Sequence, residues 1–192
     1  MSFNRISVDG DTSTNDSCIV LANGLAGNPV IAGPGPDYDA FLEALSDLCI
    51  RLARKMAADG EGAEHLITCE VDGAADEEKA VRLGKSVISS TLTKCAIFGG
   101  DANWGRVLCA MGYSGETFDP EGVDIAFRSA AGEVAVCRDG RGLDFDETLA
   151  AAVLKEPEVV IAIKMREGTG KAVTWGCDMT YEYVKINGDY RT

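Results

Sequence analysis

The sequence predicts a layered α+β protein in which some strands pair antiparallel. Three observations carry that expectation. Apolar residues recur at helical spacing over 38–58, and short apolar runs bounded by glycine-bearing turns fill much of the second half. Helical and strand-like segments are mixed rather than strictly alternating. The 192 residues are 46% apolar, with 22 glycines and only 5 prolines. That content is sufficient for one domain, 1–192, with a sizeable core and many tight turns.

Residues 17–23, SCIVLAN, form a short apolar run. The Gly- and Pro-rich stretch GLAGNPVIAGPGPD that follows marks an irregular connection. From Tyr38 to Ala58, Phe41, Leu42, Leu45, Leu48, Cys49, Leu52 and Met56 repeat at helical spacing; Asp37 can cap the start and Gly60 follows the end. His65 to Val71 reads as a strand. Asp76 caps a helix to Ser90 through Ala80, Leu83, Val87 and Ile88. Leu92 to Phe98 reads as a second strand, ending in Gly99-Gly100. Asn103 begins a helix that carries Val107, Leu108 and Met111 and stops at Gly112. VDIAF and EVAVC read as two short strands joined through 129–132, and Asp146 opens a short helix to Leu154. VVIAIKM and KAVTWGC flank E-G-T-G, which predicts a hairpin, and YEYVKIN alternates like a last paired strand.

Charge and composition remove several function classes. Lys plus Arg total 18 against 31 acidic residues, for a net charge of −13. Such a surface repels phosphate backbones and anionic lipid heads, which argues against nucleic-acid and membrane-surface partners. No apolar stretch is long enough for a spanning helix. The N-terminus MSFNRISVDGD has no apolar h-region, so a cytoplasmic protein is expected.

The seven cysteines (18, 49, 69, 95, 109, 137 and 177) are scattered, with no CxxC pair, and are expected to be small core residues rather than a metal cage or disulfide framework. The single histidine, His65, is expected at a surface or edge and cannot anchor a metal site by itself.

Three polar segments have alternative readings. Asp9 to Asp16 places side-chain oxygens at 9, 11, 13 and 15, as a calcium loop would. Thr14 stands where such a loop needs glycine, and Val20 where it needs a bidentate Glu. The plainer reading is a network of Asx and Ser/Thr turns, which could sit under an active site and hold it rigid. Phe98 to Arg106 could hold an anion at a helix start, but it has neither GK[ST] nor GxGxxG; Asp101 or Asn103 can simply cap the helix while Trp104 packs. Glu61, between Gly60 and Gly62, is sterically open to a ligand's ammonium group, although the loop also suits an ordinary helix end. One histidine and no GxSxG exclude a Ser/His/Asp set.

Four longer segments add a resemblance. SFNRISVDGDTSTND, DGEGAEHL at 59–66, AIFGGDANWGRVLCAMGYSG at 96–115 and the terminal CDMTYEYVKINGDYRT resemble, in order, the ornithine acetyltransferase (glutamate N-acetyltransferase) family. The resemblance covers essentially the whole chain, as the later part of the family's β chain. It implies an αββα-type layered fold, with mixed sheets and helices on the outer faces, here partial because the start of the β chain is missing. It also implies transfer of acetyl from N-acetylornithine to glutamate in arginine biosynthesis, through an acetyl-threonine formed on the N-terminal residue exposed by self-cleavage.

In the family that threonine lies upstream of the FNR…VDGDTSTND segment, whereas only Met1 and Ser2 precede Phe3 here. Ser2 would sit at the wrong point in the fold to replace it. No catalytic residue is therefore expected within the chain, and inactivity of the isolated fragment follows. Glu61, Asn187 and Thr192 correspond to the family's substrate-contacting positions. No metal or cofactor is implied, and acetyl-CoA is left open as an acetyl donor. The implied partners are the two amino-acid substrates and the family's α chain, in a tetramer of two α and two β chains. The alternative reading is a non-catalytic remnant that binds amino acids or pairs with a homologous subunit.

Overall fold

The computed structural model describes residues 1–13 and 15–190. Its strands are β1 (Ile6–Ser7), β2 (Leu66–Ala74), β3 (Asp124–Ser129), β4 (Gly132–Arg138), β5 (Arg141–Gly142), β6 (Glu158–Lys164) and β7 (Gly170–Cys177). The helices are α1 (Pro36–Ala58), α2 (Glu77–Ser89), α3 (Thr91–Phe98), α4 (Trp104–Gly112), α5 (Glu147–Leu154) and α6 (Tyr181–Asp189). All seven strands join one mixed sheet in the order β1-β7-β2-β6-β3-β4-β5.

Alternation along the strands decides which face is buried. Ile67, Cys69 and Val71 of β2 lie level with Val159, Ile161 and Ile163 of β6, and all six are buried. Ile125 and Phe127 of β3 extend this face, and Ala172 and Thr174 of β7 extend it the other way. Helix α2 lies on it through Ala80, Leu83, Val87 and Ile88, at a close approach: a Cβ on Gly84 would stand 2.8 Å from Thr174 Oγ1. Helices α4 and α5 complete this layer with Val107, Met111, Val153 and Leu154. The opposite face carries Glu70, Asp72, Ala126, Arg128, Ala162 and Lys164 around a shallow concavity of about 360 Å³, crossed by an Arg128–Glu70 ion pair of 2.8 Å.

The expected hairpin between VVIAIKM and KAVTWGC does not form, because β2 lies between the two runs. It pairs parallel with β6 and antiparallel with β7. The connection instead wraps over the end of β2. Met165 N–H donates to Asp72 O at 2.7 Å, and the N–H groups of Glu167 and Gly168 both donate to Gly73 O. Gly73 has φ +87° at the bulge that exposes these carbonyls. A long apolar strand satisfies two neighbours where a two-strand ribbon would leave an edge open.

Two further expectations fail. Leu92 to Phe98 belongs to helix α3, not to a strand. Ser90 Oγ accepts from Thr93 N–H at its start, and the buried positions 93, 94, 96 and 97 follow helical rather than alternating spacing. YEYVKIN belongs to helix α6, where Thr180 Oγ1 accepts from Tyr183 N–H at its start, and β7 before it has β1 and β2 as its neighbours.

Helix α1 starts earlier than expected, with Gly35 at its cap and Pro36 in its first turn; only Ala53 and Ala57 are buried. Cys69, Cys137 and Cys177 are core residues, but Cys18 and Cys109 are exposed and the other two half-buried. Cys18 belongs to the apolar run at 17–23, which is exposed along its length.

Candidate functional site

Strand direction brings three loops to one end of the sheet. β1 runs parallel to β7 and β2 runs antiparallel to it, so the ends of β1 and β7 meet the start of β2. Ser7 is level with Gly176, and Leu66 with Cys177. The segment from Val8, the loop 59–65 and the corner 178–180 therefore converge, and α6 springs from the corner.

The loop carrying Glu61 is gripped from that corner. Asp178, whose side chain is fully buried, accepts from the N–H groups of Glu64 and His65 at 2.9 and 3.1 Å, and its other oxygen lies 2.6 Å from His65 Nδ1. Burial pushes Asp178 up, but the hydrogen bonds from His65 and from the two amides outweigh this and hold it below the usual carboxylate range. The same hydrogen bond raises His65 against the opposing effect of burial. The lone histidine is thus a half-buried structural partner rather than a surface residue.

Thr180 Oγ1 donates to Gly62 O at 2.7 Å, and Ala63 N–H to Gly60 O at 3.0 Å. Gly62 has φ +65°, and a Cβ there would meet Glu182 Cβ at 2.7 Å, so helix α6 presses directly on the loop. Glu61 itself stays exposed between the two glycines. A carboxylate held at a fixed backbone and open to solvent is suited to an ammonium ligand.

The Asp9–Asp16 segment is built of local turns, as the plainer reading expects. Asp9 Oδ1 accepts from Asp11 N–H at 2.9 Å, and Ser13 Oγ from Asn15 N–H at 3.1 Å. Asp9 also links to α6, because Tyr183 Oη donates to its Oδ2 at 2.9 Å. Burial, then this hydrogen bond, then the nearby Asp9 and Glu61 charges push Tyr183 up to about 12, so the phenol keeps its proton.

Asn187 lies one turn beyond Tyr183, at the same end of the sheet as Glu61. Its carboxamide turns back on its own helix, with Nδ2 donating to Tyr183 O at 3.0 Å. Thr192 lies outside the described residues. Glu61 and Asn187 line neither the concavity on the open sheet face nor the one near Arg138 and Arg141. In the other polar segment Asn103 caps α4, with Oδ1 accepting from Arg106 N–H at 3.0 Å, while Trp104 packs against the core.

Sequence reasoning missed Asp178, Thr180, Tyr183 and Lys94 as parts of this junction. Lys94 had a readable signal, since a single cation inside the apolar run TKCAIF must find acceptors if that run is buried. Asp178 had none, because its partners lie 113 and 114 positions away.

Comparison with known proteins gives a uniform result. A family model described as the ArgJ family matches residues 1–192. The arginine biosynthesis bifunctional protein ArgJ of Symbiobacterium thermophilum is 53% identical over 191 residues, 100% of this chain and 46% of its own length. That of Caldanaerobacter subterraneus subsp. tengcongensis is 52% identical over 190 residues, 99% of this chain and 47% of its own length. The crystal structure of the arginine biosynthesis bifunctional protein ArgJ from Bacillus halodurans superposes with a TM-score of 0.91 at 44% identity, covering 98% of this chain and 87% of that one. The chain thus spans about half the length of these curated relatives. With the match extending from the first residue to the last, this chain belongs to the ArgJ family, the ornithine acetyltransferases that its four motifs resemble.

Proposed function

We propose that this chain is the β-chain portion of an acetyltransferase that moves acetyl from N-acetylornithine to glutamate in arginine biosynthesis. The observation that carries the reading is family membership across all 192 residues. The rigidly held loop presenting Glu61 supports it.

The nucleophile in this reading is a threonine outside the chain, at the N-terminus exposed by self-cleavage. Its α-amine takes the hydroxyl proton as the oxygen attacks the acetyl carbonyl and returns it to the departing nitrogen as the C–N bond breaks, so ornithine leaves as an amine and an acetyl ester remains. The amine of glutamate then attacks the ester and restores the hydroxyl. Histidine has no part in either step. Glu61 holds an ammonium of ornithine, and Asn187 and Thr192 hold the amino-acid end. The enzyme works in the cytoplasm without metal or cofactor, as two α and two β chains, with acetyl-CoA as an alternative acetyl donor to be tested separately.

The test is a transfer assay between N-acetylornithine and glutamate. The isolated chain should show no turnover, and activity should return when the upstream half carried by the longer relatives is supplied. Turnover by the chain alone would sink the placement of the nucleophile. In the completed enzyme, Glu61→Ala should lower kcat/KM at least about tenfold, the scale of a lost charged contact of about 1.4 kcal/mol or more. An unchanged value would remove Glu61 from the site.

A further inference from the structure

We propose that Lys94 is a positioning residue for the Glu61 loop, its buried ammonium fixing the two segments on which that loop is seated. The inference rests on the reading of Glu61 given above for its functional consequence, but its geometry stands independently.

Lys94 is 1% exposed and is among the largest fully buried side chains. An ammonium removed from water must spend its three donors on acceptors. Here Nζ donates to Val8 O, to Cys177 O at 2.5 Å and to Cys177 Sγ at 3.6 Å. Two carbonyls and a thiol serve it, with no carboxylate among them. A lysine used only to neutralise an acid would not be arranged this way. Burial pushes the Cys177 thiol up, with the Lys94 charge acting against it, so the sulfur stays a neutral acceptor.

The two residues held by Lys94 are the two that seat the loop. A Cβ on Gly60 would stand 2.6 Å from Cys177 Sγ and 3.1 Å from Val8 Cγ1, so the residue before Glu61 lies flush against both. Val8 also precedes Asp9, the acceptor for Tyr183 on α6. Helix α3 also touches α6, through an edge-to-face contact of Phe98 with Tyr181 at 5.4 Å. One cation thereby ties the segment just after β1, the end of β7 and α3 together beneath the loop. Without it, Cys177 O loses the ammonium and Val8 O keeps only the long contact from Cys177 Sγ at 3.9 Å, and the platform under Gly60 loosens.

The experiment uses the completed enzyme. Lys94→Met keeps the chain length and removes the donors. It should raise KM for N-acetylornithine about tenfold while kcat changes less than about threefold, the signature of weakened ground-state positioning. Hydrogen exchange at the amides of Ala63, Glu64 and His65 should accelerate in the same variant. In a Glu61→Gln background the KM effect should shrink below about twofold, because the two residues act through one contact. An equal effect in both backgrounds, or unchanged KM and exchange, overturns the proposal.

Gly60→Ala lifts the loop off Cys177 with Lys94 intact and should reproduce the KM rise. If Lys94→Met does not fold, an unchanged KM in Gly60→Ala overturns the proposal instead. Glu61→Gln alone with unchanged KM would sink the substrate reading of Glu61, and amide exchange in Lys94→Met then decides the clamp.

Discussion

Asp178 accepts three hydrogen bonds from two adjacent residues, and this gives the loop a pH-dependent anchor. Its folded pKa lies below the ordinary 3.8, so its contribution is present above that value and fades as pH falls through the folded one. His65 titrates above the ordinary 6.5, so its contribution is full below 6.5 and fades as pH rises through the higher folded value. Urea midpoints should therefore form a plateau between 3.8 and 6.5 and decline on both sides. Asp178→Asn should flatten both limbs; a variant profile parallel to the parent's would disprove the assignment.

Gly62→Ala is a second test at this scale. Positive φ and the 2.7 Å approach to Glu182 combine, for a loss of about 1–3 kcal/mol in urea unfolding. A neutral substitution would mean that α6 does not press on the loop as described.

At the scale of elements, α6 depends on its cap more than on its packing, since none of its residues is buried. Thr180 serves both the helix N-terminus and Gly62 O. Thr180→Ala should cost about 1 kcal/mol through the cap alone, and more if the bond to Gly62 counts. Near-zero change in the urea midpoint would show that α6 frays already.

The β2 bulge offers a sharper case. A Cβ on Gly73 would stand 2.1 Å from Met165 O, at φ +87°. Gly73→Ala should therefore cost more than about 1–3 kcal/mol by forcing the β6–β7 crossover away. The same elements show where sequence reasoning stopped. Helices α2, α4 and α5 were legible because their capping residues Asp76, Asn103 and Asp146 stand directly before helical periodicity. Helix α3 was not, because a short segment such as TLTKCAIF fits either period until its neighbours are known.

Over the whole molecule, one sheet face is covered by α2, α4 and α5, while the other is covered by α1 only near β1, β7 and the start of β2 and stays open around Arg128 and Glu70. Ile19, Val20, Leu21, Leu25 and Val30 are exposed as well, and so are Phe41, Leu42, Leu48 and Leu52 along α1. A surface this apolar favours association. Sedimentation of the isolated chain should show concentration-dependent complexes, and Phe41→Asp with Leu52→Asp should shift it towards monomer. A monomer at every concentration would contradict this reading of the exposed face.

The sequence by itself determined the family, most capped helices, the central strand runs and the openness of Glu61 between two glycines. Those features depend on residues close together along the chain, or on motifs long enough to be specific. The tertiary structure alone decided that β2 separates β6 from β7, that YEYVKIN coils, and that Asp178 and Lys94 hold the loop. Each of these is a competition for hydrogen-bond partners between residues far apart in sequence, and local periodicity carries no record of which partner wins.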